Sequence, residues 1–154
     1  MSWVLTNEYP DGKTRCGWPG QDDLYIDYHD TEWGVPVTGD EAMFERIALE
    51  GFQAGLSWIT ILKRREGFRA AFHGFELEPV AAMTDDDVER LMNDAGIIRN
   101  RAKVLATIHN AQLILELQSA GQSISEIVWS FAPQGEARKR AEAGFEWIAT
   151  SPES

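Results

Sequence analysis

Residues 94–103 read Asp94-Ala95-Gly96-Ile97-Ile98-Arg99-Asn100-Arg101-Ala102-Lys103. Upstream of them, Thr84 followed three residues later by Asp87 has the spacing of a capping box, which starts a helix running to about Ala95. Gly96 stops that helix. A long helix follows from about Asn100 to Gln118, with Leu105, Ile108 and Leu115 on one stripe. The stretch is therefore a tight glycine turn between two helices. Its second helix opens with Arg99, Arg101 and Lys103, and no acid lies between Ala95 and Leu115. Cations at a helix start oppose the macrodipole, whereas the free N–H groups there attract an anion. Gly96, Ile98, Arg99, Arg101 and Lys103 are accordingly candidates to hold a phosphate; the alternative is a solvated helix start.

Working outward, the pattern stays helical. A short helix is expected over Asp22–Asp30, where Leu24 and Tyr28 share a face. Asp40 caps a helix to about Ala54 with Phe44, Ile47 and Ala48 at helical spacing, and Gly55 ends it. Ser57 caps a second, from Trp58 to about Phe72. After a connector over 73–79 come a short turn at Pro79–Met83, the two helices described above, a break at Gly121 and a last helix from Ser123 to about Phe131. No segment alternates with period 2. The expected fold class is all-α. Residues 1–14 read as an irregular leader and 15–132 as the helical domain. Residues 133–154 are polar and interrupted, a loop or the start of a segment that the chain does not finish.

The chain has 154 residues, 44% of them hydrophobic and 25% charged, which suits one globular domain. No apolar run is long enough to span a membrane, and no signal peptide opens the chain. With one cysteine there is no internal disulfide, and a cytoplasmic monomer is expected. The net charge of −11 argues against nucleic acid when taken alone. It is unevenly placed, however. Lys63, Arg64, Arg65 and Arg69 form a second basic cluster, while acids gather at Asp85–Asp87 and Glu136–Glu146. A local patch, not the net charge, meets a phosphate backbone.

Two further features carry chemistry. Six tryptophans are many for this length, and Trp3, Trp18, Trp33 and Trp58 fall early in the chain beside Tyr25 and Tyr28. Some are core; others line a pocket for a flat ligand. Glu50 falls on the stripe Met43, Ile47, Glu50, Ala54, on or beside the apolar face. There it must be paired, protonated or facing a cavity, unless it bends out to solvent from the helix edge. The turn Gln53-Ala54-Gly55-Leu56-Ser57 returns the chain so that Trp58 comes near Glu50, placing a π-face beside a hydrogen-bond acceptor, an arrangement that suits a nucleobase. Leu56, in that turn, either fills the gap left by an extruded base or packs in the core. Cys16 and His29 are metal-ligand types, but two donors do not make a structural site.

Arg15-Cys16-Gly17-Trp18, Tyr25 to Pro36 (YIDYHDTEWGVP), Leu49 to Thr60 (LEGFQAGLSWIT) and Asp94 to Lys103 together resemble the 3-methyladenine DNA glycosylase I family of bacterial alkylation repair. The likeness runs in one register from Arg15 to about Phe131. It implies a helix–hairpin–helix glycosylase fold, and hydrolysis of the N-glycosidic bond of 3-methyladenine flipped out of alkylated double-stranded DNA. It also implies binding of free 3-methyladenine, with Glu50 reading the base and Trp58, Tyr28, Trp18 and Tyr25 as pocket walls. Cys16 and His29 would be the first two ligands of a structural zinc. The other two ligands belong, by the resemblance, to a further basic segment beyond Ser154, and this chain holds no second cysteine. Zinc is therefore expected to be weak or absent here, and no organic cofactor is implied. The resemblance assigns no catalytic nucleophile. The rival readings are a non-catalytic lesion-binding module and a glycosylase of the same fold for another alkylated base.

Overall fold

The computed structural model describes residues 6–132. Residues 1–5, Trp3 among them, and the expected terminal segment 133–154 lie outside the described residues. The chain opens with two short antiparallel strands, β1 (Thr6–Glu8) and β2 (Thr14–Cys16), in register Thr6↔Cys16, Asn7↔Arg15, Glu8↔Thr14. The helices are α1 (Asp23–Thr31), α2 (Asp40–Gln53), α3 (Trp58–Leu62), α4 (Arg65–Ala71), α5 (Leu77–Ala81), α6 (Asp85–Met92), α7 (Arg101–Ser119) and α8 (Ile124–Ser130), with one 3-10 turn at His73–Phe75. No described helix is long and apolar enough to cross a membrane.

The strand pair corrects the expectation of an irregular leader. Three-residue strands are too short to display a period. The local signal is Pro10-Asp11-Gly12, a turn in which Gly12 donates to the Tyr9 carbonyl at 2.9 Å and takes φ +77°. Arg15 fastens this hairpin to α1. Its guanidinium, 5% exposed, donates to Asp30 (Nε–Oδ1 2.8 Å, Nη2–Oδ2 2.7 Å) and to Asp11 (2.9 and 2.6 Å), and lies 4.9 Å from the centre of the Tyr9 ring. A buried cation requires such pairing. The Arg15 hydrogen bonds hold both carboxyls below the usual carboxylate range, Asp11 at about 2.

Helix starts follow their local chemistry. Asp22 accepts from the Tyr25 amide, Asn100 from that of Lys103 and Ser123 from that of Glu126, and the capping box at Thr84–Asp87 is formed. Ser57 makes no cap bond to the backbone; its hydroxyl pairs with Thr60 at 2.8 Å. Asp40 differs too. Gly39, at φ +89°, is the N-cap, and Asp40 is the first helical residue. Its carboxylate reaches across to α8, accepting from the Ser123 hydroxyl, the Ser125 amide (3.1 Å) and the Gln118 side chain (2.8 Å). Burial raises the Asp40 pKa, but these hydrogen bonds prevail and lower it. A carboxylate depressed in the fold stabilises above its unfolded pKa, and that contribution is lost as pH falls through the folded value. Asp40→Ala is expected to cost about 1.5–3 kcal/mol at neutral pH. The difference from the parent should shrink below about pH 4, as the carboxyl protonates in both states. Urea unfolding of both proteins at neutral and acid pH checks this; a pH-independent gap would assign the loss to packing instead.

The single helix expected over 58–72 is broken. Arg64 leaves helical geometry (φ −109°, ψ 3°), and its side chain turns back onto the Thr60 carbonyl at 3.3 Å. The core is built on phenylalanines: Phe52 lies 4.6 Å from Phe68 and 6.0 Å from Phe72, with Phe75 against Phe72 and Phe44. Of the stripe expected on α7, Ile108 is buried and Leu115 partly so, but Leu105 is exposed; Val104, Ala111 and Ile114 complete the buried face. Leu24 is likewise exposed on α1, where Tyr28 is buried and Tyr25 packs partly against the core. Gly67 on α4 meets the α6–α7 turn backbone to backbone, since a Cβ there would lie 2.5 Å from the Gly96 carbonyl oxygen.

Candidate lesion-binding site

The predicted pocket aromatics come together. Trp18 from the loop after β2 lies edge-on to Tyr25 at 4.7 Å and 6.4 Å from Tyr28, both on α1. Tyr28 in turn lies 5.5 Å from Trp58 at the start of α3. Tyr28 and Trp58 are nearly buried, whereas Trp18 is 40% exposed, so the row runs from the core to the surface. Burial, and then the nearby Tyr28, push the Tyr25 phenol above its ordinary pKa. The Trp58 indole N–H is buried and finds no acceptor among the described residues.

Two neighbours add to the row: Trp33, singled out in the sequence only among the early tryptophans, and Arg46, which sequence reasoning missed. Trp33 extends the row, 5.5 Å from Trp18 and stacked on His29 at 5.5 Å. Arg46 lies about 6.0 Å over Tyr28 and 5.9 Å over Trp58, and donates to the Tyr28 hydroxyl at 3.3 Å. Its signal was its place four residues before Glu50, on the same side of α2. Arg46, Arg65, Arg69, Glu32, Glu45 and Trp58 help line a hollow of about 170 Å³. The Arg65 hydrogen bond (2.6 Å), offset by burial, holds Glu32 below the usual carboxylate range.

Glu50 follows the alternative of a helix-edge residue turned to solvent. The buried positions of α2 are Met43, Phe44, Ala48, Leu49 and Phe52; Glu50 is exposed at the edge of that face. Among the described residues it has no hydrogen-bond or ion-pair partner. It sits one turn beyond Arg46, on the last turn of α2, with the turn to Trp58 following. Leu56 in that turn is 42% exposed, behind Gly55 at φ +84°.

The residues expected to hold phosphate divide. Arg99 is exposed. Arg101 is exposed and paired with Glu89 at 2.7 Å. The Gly96 amide donates to Asp94 Oδ1 at 2.7 Å, and Ile98 is partly buried against the core. Lys103 turns inward: its Nζ donates to the carbonyls of Phe52 (2.9 Å) and Ala54 (2.7 Å) at the end of α2. Cys16, a free and partly exposed thiol, ends β2; His29 on α1 holds its Nδ1 2.9 Å from Asp30. Such a carboxylate behind a histidine would suit a ligand. Among the described residues, no group of three His, Cys, Asp or Glu side chains is placed to hold a metal.

A helical domain that presents such an aromatic row, with Arg46 over its inner end, has known counterparts. A family model for methyladenine glycosylase matches residues 18–154. The chain is 58% identical over 117 residues to DNA-3-methyladenine glycosylase 1 of Escherichia coli (strain K12), covering 76% of this chain and 63% of that protein. It superposes on a crystal structure of 3-methyladenine DNA glycosylase I with TM-score 0.78 at 46% identity, covering 90% of this chain and 76% of that one. It also matches the Staphylococcus aureus glycosylase I structure describing 3-methyladenine recognition, with TM-score 0.72 at 42% identity over 75% of this chain and 62% of that one. The chain belongs to the methyladenine glycosylase family. It spans a little under two thirds of the length of the E. coli relative.

Proposed function

We propose that this chain binds 3-methyladenine extruded from alkylated double-stranded DNA and hydrolyses its N-glycosidic bond, acting as a monomer. The observation that carries the reading is the row Trp18–Tyr25–Tyr28–Trp58, with Arg46 over its inner end. A 3-methylated adenine in DNA is cationic, and its glycosidic bond is already weakened. The chain's residues then have little proton transfer to perform. They extrude, bind and orient the base. Glu50 accepts hydrogen bonds from the exocyclic amine and attracts the positive charge, and the aromatic faces add cation–π attraction of about 0.5–2 kcal/mol. Arg46 orients Tyr28 through its hydroxyl. Leu56 fills the space that the base vacates. The α6–α7 turn serves as the hairpin of a helix–hairpin–helix, with Arg99 and Arg101 facing the phosphates.

The test is release of labelled 3-methyladenine from a methylated duplex by this chain. Release with an unmethylated duplex untouched is the expected result. Saturable binding of the lesion without release would favour a recognition module instead. Arg99→Ala is expected to flatten the salt dependence of DNA binding by roughly 0.9 in log–log slope while leaving free-base binding unchanged. An unaltered slope would make that cation solvated surface. Zinc in this family reading is structural. Cys16 and His29 alone leave two positions to water, and such a site binds far more weakly than a closed one. Elemental analysis of this chain is expected to find well under one zinc per molecule. A full equivalent would mean that other side chains complete the site.

A further inference from the structure

We infer that Lys103 is a positioning residue that caps the end of α2 from another helix and so fixes the turn carrying Leu56 and Trp58, rather than binding a phosphate. The carbonyls of the last helical turn have no partners within the helix. At the end of α2, Gly51 accepts from the Ala54 amide at 3.4 Å and Gln53 from the Leu56 amide at 2.6 Å. The carbonyls of Phe52 and Ala54 both go to one ammonium, that of Lys103, at 2.9 and 2.7 Å. α2 has no basic residue in its own last turn, so this ammonium also supplies the positive charge that its negative end lacks.

Lysine has three N–H donors, and two are used here. The α7 start is held in its turn by Asn100, which accepts from the Lys103 amide at 3.2 Å. Lys103 therefore ties two places together. Its backbone belongs to the cap of α7, next to the α6–α7 turn; its side chain belongs to the corner between Glu50 and Trp58. A lysine facing DNA would stand clear of the protein. This one is half-buried and spent on main-chain oxygens 51 and 49 residues upstream. The consequence is a rigid link between the segment proposed to grip the backbone and the turn proposed to enter the duplex. The inference rests on the proposed function only for what the turn is for; the capping role stands apart from it.

The experiment uses the full chain with Lys103→Met, Lys103→Arg and the milder Lys103→Gln, and has two readouts. Hydrogen exchange at the Ala54 and Leu56 amides is expected to accelerate roughly tenfold or more in Lys103→Met, as bonds from a charged donor are lost. It should return toward the parent rate in Lys103→Arg. The salt slope of duplex binding is expected to stay at the parent value in Lys103→Met, while Arg99→Ala lowers it by roughly 0.9. Unchanged exchange in both Lys103→Met and Lys103→Gln, or a slope lowered by Lys103→Met as much as by Arg99→Ala, would overturn the inference. If the parent chain binds neither duplex nor base, the proposed function fails, and the exchange readout still decides the role of Lys103.

Discussion

Glu50→Gln is expected to weaken binding of 3-methyladenine by about 1.5–3 kcal/mol, roughly 10- to 150-fold in Kd. The amide keeps the shape of the side chain but loses its charge, and presents a donor where the exocyclic amine of the base also donates. Because Glu50 is exposed and has no partner among the described residues, nothing else in the fold should change. The unfolding free energy should therefore stay within about 0.5 kcal/mol of the parent. Titration calorimetry with 3-methyladenine separates the outcomes. Equal affinity in both proteins would remove Glu50 from base recognition, and a large loss of stability would show that the carboxylate has a structural partner.

Phe52→Ala is expected to be the more damaging change, costing about 3–5 kcal/mol of stability. Phe52 is 1% exposed, lies 4.6 Å from Phe68, and stands two residues after Glu50 on the final turn of α2. Its ring anchors the α2–α3 corner to α4, and its carbonyl accepts from Lys103. The cavity left by the ring would loosen that corner even in molecules that remain folded. Denaturant unfolding reads the stability. Base binding at a concentration where the variant is still folded reads the second effect. A cost below about 1 kcal/mol would mean that the site collapses around the missing ring.

How much of this was legible follows from the range of each signal. Capping is local, so the starts at Asp22, Thr84, Asn100 and Ser123 were readable within a residue. The bend after Lys63 carries neither glycine nor proline, and the side chain that completes it, Arg64 on Thr60, leaves no mark on the periodicity. On α7 only Leu105 was misplaced, because that helix is covered by α2, α5 and α6 together, which leaves a broad apolar surface rather than one stripe. Glu50 was singled out through a stripe of which Met43 alone is fully buried, and it stands one turn from Arg46, which lies over two of the row's aromatics. The aromatic row came from the family resemblance; Trp18, Tyr25 and Tyr28 are near in sequence, whereas Trp58 starts a different helix and joins them only through the fold. Lys103 was taken as anion-seeking because the sequence shows its place at a helix start and not the carbonyls of Phe52 and Ala54 that it meets in space.

The most direct measurement is a titration of the isotope-labelled chain with 3-methyladenine, followed by the resonances of its aromatic side chains and indole N–H groups. The account predicts saturable shifts at Trp18, Tyr25, Tyr28 and Trp58 with those of the Phe52–Phe68 core unmoved, and much weaker binding of unmethylated adenine. Absence of saturable binding, or saturation that perturbs residues away from this row while leaving Tyr28 and Trp58 unchanged, would contradict it.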